Sequence, residues 1–321
     1  MDATDFQPVL DDIAAEMRTL LDGDDRGGAA AGRVASYIPA LARVPADRFG
    51  IALRTRCGRE FRAGDAATPF SIQSISKLFT LTMAMRHAGE ELWERIGREP
   101  SGNPFNSLVQ LESEQGKPRN PFINAGAIAV ADRLVSRALM QGTAADACGD
   151  VLALMSDLAA EPVGFDEEVA ASEAATGFRN VALANFMKSF GKIDNDVAAV
   201  LDLYFHQCAL RMSCIQLARA AAFLCRDGAH PVAGRPAVVT ERQARRINSL
   251  MLTCGTYDAA GDVAFSIGLP CKSGVGGGIV AVVPDHLTLC VWSPALDASG
   301  NSLAGLAALE LFVAKTGLSV F

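Results

Sequence analysis

The chain has no CxxC pair, no HExxH, no block of like charge and no apolar run approaching the ~18 residues of a membrane span, and each absence removes a class of function. Its eight cysteines lie singly, which in a large chain without an export signal reads as buried, reduced thiols rather than a disulfide framework. Its four histidines, His87, His206, His230 and His286, are far apart, so a metal site would have to be assembled from scattered residues; none is expected. Basic residues number 29 against 36 acidic ones, a net charge of −7 without the basic footprint that nucleic acid or an anionic membrane requires. The opening segment "MDATDFQPVLDDIAAEM" carries acidic residues where a signal peptide carries positive ones, so a cytoplasmic protein with a small uncharged or zwitterionic partner is expected.

What is present is ample apolar material: half of the 321 residues, enough for one large or two ordinary domains. "GIALRTR" and "EFRAGD" flank Cys57-Gly58-Arg59 as a hairpin with glycine in the turn. "VGGGIVAVVP" and "LTLCVW" form a second pair around Pro284-Asp285-His286. A helix follows over Leu303 to Lys315, with Asn301 or Ser302 as its N-cap and Gly317 just beyond its end. Between residues 71 and 255 helical periodicity dominates and strand signal is nearly lacking. The economical architecture is a mixed α/β fold: one antiparallel sheet built from N- and C-terminal segments, flanked by helices, with an all-helical domain inserted. The sheet part covers about 30–72 and 256–321, the helical part about 73–255, and the site lies in the cleft between them. No internal repeat occurs, and the only linker-like stretch is "GDDRGGAAAG" at 23–32.

Two S-x-x-K matches occur where six lysines and nineteen serines predict roughly 0.4 by chance. Ser189-Phe190-Gly191-Lys192 contains a glycine and sits at a helix end, so it reads as a decoy. The other follows Pro69-Phe70-Ser71, which reads as a helix start, and Ile72, Ile75, Leu78, Phe79 and Met83 recur at helical spacing. Residues three apart on a helix are neighbours, so Ser74 can meet Lys77, and a desolvated lysine can take a hydroxyl proton. The alternative is a capped helix whose lysine snorkels to water. Lys272-Ser273-Gly274, at the head of a strand, resembles the K-[ST]-G that accompanies S-x-x-K in serine β-lactamases and penicillin-binding proteins. The glycines after it satisfy no phosphate-loop pattern, and are expected to admit a substrate close to the strand backbone.

Between these motifs, from about Ser36 to about Val291, the chain closely resembles the serine-dependent glutaminases, which have a serine β-lactamase-like fold and hydrolyse L-glutamine to L-glutamate and ammonia. The marks are "SYIPALA", "QSISK", "EPSGNPFNS", "RNPFINAGAI", "SEAATGFRN", "LYFHQC", "CGTYD" and "KSGVGGGI", in family order. The resemblance implies Ser74 as nucleophile, Lys77 as base, and the N–H groups of Ser74 and Val275 as donors to the oxyanion. It implies Tyr37, Asn124, Glu173, Asn180, Tyr204 and Tyr257 as substrate holders, with Tyr257 also relaying a proton to the leaving ammonia. It implies a homodimer or homotetramer and no cofactor. Taken singly, Tyr204 reads as a core tyrosine, Asn124 as a helix cap, and Glu173 and Asn180 as solvated loop residues. Thr256 before Tyr257 and Phe178 within the Glu173–Asn180 loop depart from the family pattern without touching the chemistry. Two rivals remain: a penicillin-recognising hydrolase, for which Ser101-Gly102-Asn103 would serve as S-x-N, and a non-catalytic amino-acid-binding protein.

Overall fold

The computed structural model describes residues 4–23, 32–101, 108–141 and 147–321. Most of the linker-like stretch at 23–32, Gly102 and Asn103 of the S-x-N run, and the remainder of "EPSGNPFNS" through Ser107 lie outside the described residues.

The strands in chain order are β1 (Gly50–Thr55), β2 (Glu60–Gly64), β3 (Phe70–Ser71), β4 (Gly164–Phe165), β5 (Leu210–Met212), β6 (Cys271–Ser273), β7 (Gly278–Val283) and β8 (Leu287–Trp292). Five of them form one antiparallel sheet in the order β2-β1-β8-β7-β6, joining N- and C-terminal segments as the sequence implies. Both expected turns are present, with positive φ at Gly58 and Asp285. The remaining three strands make a second small sheet, β3-β5-β4, so the helical middle is not free of strands; at two and three residues they are too short to leave a periodic signal.

Period-two alternation divides the large sheet between two cores. Ile51, Leu53, Ile279, Ala281, Val283, Leu287, Leu289 and Val291 face helices Gln7–Asp22 and Leu303–Thr316. Ala52, Val280, Val282, Cys290 and Trp292 face the helical body. Burial on both sides is why β7 and β8 read as unbroken apolar runs. Thr288, the polar exception, satisfies its hydroxyl on the Ala218 carbonyl at 2.7 Å. The helix Leu303–Thr316 is capped by Ser302, whose side chain accepts from Gly305 N–H, and closes on left-handed Gly317. Asn301 is not the cap; it donates to the Thr256 carbonyl. The helix Gln7–Asp22, which the sequence reading did not assign, buries Leu10, Ile13, Ala14 and Met17.

Candidate active site

The segment around Ser74 differs from a simple helix start. Phe70–Ser71 is strand β3, Gln73–Ile75 is a 3-10 turn, and the α-helix begins only at Ser76. Gln73, immediately before Ser74, has φ +51°, a left-handed conformation costly for a side-chain-bearing residue. It is held there from its side chain, which donates to Ser71 Oγ at 3.0 Å and bonds the Glu173 carboxylate. Ser71 Oγ in turn donates to the Cys208 carbonyl at 2.9 Å.

Lys77 is almost wholly buried on the first turn of helix Ser76–Ala88. Its Nζ donates to Asn124 Oδ1 at 2.7 Å and the Phe122 carbonyl at 3.2 Å. Burial brings its pKa down to about 8, the opposing influence of Glu173 notwithstanding. The lysine therefore does not snorkel. Asn124 opens helix Asn124–Met140 and passes the contact on, its Nδ2 donating to Asn180 Oδ1 at 3.0 Å.

On the other side, Tyr257 follows helix Glu241–Cys254, again at positive φ (+56°). Its buried hydroxyl bonds Ser74, meets the backbone N–H of Val275, and lies 3.4 Å from the Ser273 carbonyl. Burial raises this phenol well above its ordinary range, so it is neutral. Behind its ring lies Lys272, fully buried, its ammonium 5.0 Å from the ring centroid and bonded to the carbonyls of Ser273 at 2.7 Å and Gly255 at 3.0 Å. Burial, and then the nearby Lys77 charge, lowers its pKa well below the usual value.

The K-S-G segment is the end of a strand of its own, β6, and Gly274 to Gly277 turn the chain into β7. The glycines there make room for backbone rather than substrate. A Cβ on Gly274 would sit 2.3 Å from the Ile72 carbonyl oxygen and 3.3 Å from Ser74 N, and one on Gly276 2.1 Å from the Ser71 carbonyl oxygen. The turn thus lies directly against residues 71–74.

Ser74 opens on a cavity of about 780 Å³, lined by Tyr37, Gln73, Ser74, Asn124, Glu173, Asn180, Tyr204, Cys208 and Val275 among others. Of the residues singled out in the sequence, seven line it directly; Lys77 and Tyr257 stand behind the wall and reach it through Asn124 and Ser74. The chain's three tyrosines all converge here, Tyr37 at the mouth and more than half exposed, Tyr204 and Tyr257 buried. Glu173 and Asn180 are not on a loop: they lie on helices Glu167–Thr176 and Phe178–Ser189, which meet at Gly177. Gly177 is obligatory, since a Cβ would come within 2.8 Å of the Phe205 ring and the Glu173 carbonyl. Burial raises the Glu173 carboxyl to about 7, against the lowering effects of Gln73 and Lys77. The decoy Ser189 is exposed at a helix end and donates to the Phe186 carbonyl, away from the cavity. Sequence reasoning assigned no site role to Gln73, Cys208 or Lys272, although each lies in a stretch it singled out, "QSISK", "LYFHQC" and the K-S-G motif.

A glutaminase family model matches residues 32–321. The chain belongs to the glutaminase family. A glutaminase of Methylorubrum extorquens is 55% identical over 318 residues, covering 99% of both chains, and one of Rhizobium meliloti is 54% identical over 99% of this chain and 97% of its own. Among solved structures, a probable glutaminase from Bacillus subtilis complexed with 6-diazo-5-oxo-L-norleucine superposes with a TM-score of 0.85 at 31% identity, covering 100% of this chain and 98% of that one. The fold is accordingly the serine β-lactamase-like fold of that family, and the chain is an amidohydrolase. No helix among the described residues is long and apolar enough to cross a membrane.

Proposed function

We propose that the protein hydrolyses L-glutamine to L-glutamate and ammonia through an acyl-enzyme on Ser74. Lys77 Nζ takes the Ser74 proton as Oγ attacks the carboxamide carbon, and the N–H groups of Ser74 and Val275 hold the resulting oxyanion. Tyr257 passes a proton to the departing ammonia, and water then hydrolyses the glutamyl ester, returning Ser74. Glu173 pairs with the substrate α-ammonium, while Tyr37, Asn124, Asn180 and Tyr204 hold the rest of the zwitterion. The observation that carries this reading is the neutral, buried phenol of Tyr257 bonded to Ser74 at the wall of the cavity, beside a buried lysine three residues along the chain whose Nζ is held by cavity-lining Asn124 and whose proton affinity burial lowers. Both the sheet part, 30–72 and 256–321, and the helical part, 73–255, contribute to this one catalytic unit. The reading includes a cytoplasmic homodimer or homotetramer that needs no cofactor.

The test is ammonia release from glutamine, run beside a chromogenic β-lactam. Ser74→Ala should abolish turnover while retaining the fold, Lys77→Ala should lose ~10²–10⁴-fold, and Ser189→Ala should be near neutral. Substantial turnover by Ser74→Ala, or its loss in Ser189→Ala, would sink the assignment. Turnover of the β-lactam in place of glutamine would favour the penicillin-recognising alternative, and hydrolysis of neither the binding-protein one.

A further inference from the structure

Cys148, Asp202 and His206 belong to no common motif, yet one ligand atom from each lies within 4.8 Å of the other two. Ligand atoms around a tetrahedral zinc ion bound at 2.0–2.3 Å stand about 3.3–3.8 Å apart, so a modest movement of the exposed Asp202 side chain is enough to close the set. His206 is already oriented for such a role. Its Nδ1 lies 2.8 Å from the Asp202 main-chain carbonyl, which can only accept, and 3.3 Å from Asp202 Oδ1, so the ring nitrogen left for a metal is Nε2 and the Asp202 side chain must swing towards it. The Phe165 ring packs edge-on against the imidazole at 5.3 Å between centroids, and Glu167 Oε2 lies 3.6 Å from Nε2.

We propose that Cys148, Asp202 and His206 form a site for one thiophilic divalent cation of the zinc class, with the Glu167 carboxylate as fourth ligand. Mixed sulfur, nitrogen and oxygen ligands favour Zn²⁺, Co²⁺ or Cd²⁺ over the hard, oxygen-seeking Mg²⁺ and Ca²⁺. Binding converts the Cys148 thiol to thiolate and releases its proton to solvent. None of the four residues lines the Ser74 cavity, so the site is separate from the hydrolytic machinery and independent of its reading. It nevertheless joins three helices. Cys148 is on Ala147–Ala159; Asp202 and His206 are on Val197–Cys208, which carries Tyr204; Glu167 opens Glu167–Thr176, which carries Glu173. A bound cation would fasten the two cavity-lining helices to a third, outer one.

The experiment titrates the chelator-treated full-length protein with Co²⁺ and then Zn²⁺, following thiolate-to-cobalt charge transfer and the thermal midpoint. The expected result is one equivalent of Co²⁺ with a charge-transfer band, its displacement by Zn²⁺, and a thermal midpoint that rises with Zn²⁺ concentration. Cys148→Ser should abolish the band, and His206→Ala should weaken binding by more than about tenfold. Because Cys148 is buried, its replacement can disturb packing; His206→Ala, on the helix surface, then decides the matter. Absence of the band in the parent protein, or a band and Zn²⁺-dependent midpoint that survive in His206→Ala, overturns the proposal.

Discussion

Lys77 and Glu173 are shifted toward one another, the lysine down to about 8 and the glutamate up to about 7, and both shifts come chiefly from burial. Around them Cys208, Tyr204 and Tyr257 are pushed upward and stay neutral, and burial draws Lys272 well below its usual value, so the pH response of the site lies with Lys77, Glu173 and Lys272, of which the first two enter the proposed reaction. The proposed reaction needs Lys77 neutral and Glu173 ionised. We therefore expect kcat/KM to rise with pH through 7 and 8, and to fall below pH 7 more steeply than uptake of one proton allows, since Lys77 and Glu173 are then both protonated. A profile flat from pH 6 to 8 would contradict these roles. The same shift has a stability consequence. A carboxyl whose folded pKa lies above its unfolded value costs stability when ionised: nothing below about pH 4.5, progressively more up to 7, and the full amount above. Glu173→Gln keeps a partner for Gln73 and removes that cost. It should raise the stability by about 1–3 kcal/mol at pH 8 with little gain at pH 4.5, while kcat/KM for glutamine falls ~30-fold or more for want of an anion. Calorimetry at the two pH values, beside the ammonia assay, checks both halves; a variant less stable at pH 8 would mean the carboxylate supports the fold.

At the scale of elements, the sequence was legible where a pattern repeats and illegible where one residue departs from its element. Ser74 and Lys77 could be singled out from their spacing, and the two hairpins read from alternation flanked by turn residues. The bends that aim the pair could not. Nothing in the identity of Gln73 or Tyr257 announces a positive φ, because tertiary contacts impose it: Glu173 and Ser71 on the first, Ser74 and Val275 on the second. The convergence of Asn124, Glu173, Asn180 and Tyr204 was likewise invisible to periodicity and entered only through family likeness, since each comes from a different helix. The turn between β6 and β7 makes a sharp element-level prediction. Gly274→Ala places a methyl 2.3 Å from the Ile72 carbonyl oxygen and must push away the backbone that carries Ser74. A displacement of about 1 Å there should cost ~10²-fold in kcat/KM, beside a stability loss of about 1–3 kcal/mol. Near-normal kinetics in this variant would show that the turn does not set the position of the serine.

At the scale of the molecule, the large sheet is a wall between two cores, with the cavity and its helices on one side and the first and last helices on the other. Its middle is closed by the pairing of β1 with β8, in which Thr55 meets Leu287. During synthesis the early hairpin therefore emerges long before its neighbour exists, and the helical residues between them must be made first. Such non-local closure carries a large entropic barrier and delays the cooperative step. A nascent chain stalled before residue 287 should expose β1 as an unpaired, aggregation-prone edge and bind a hydrophobic dye, whereas one released after Thr316 should resist limited proteolysis. Protease-resistant sheet in the stalled chain would show that the early strands find another partner. The same closure makes the order of manufacture a property of the enzyme: the segment bearing the proposed nucleophile leaves the ribosome early, but its site waits for nearly the last strand to arrive.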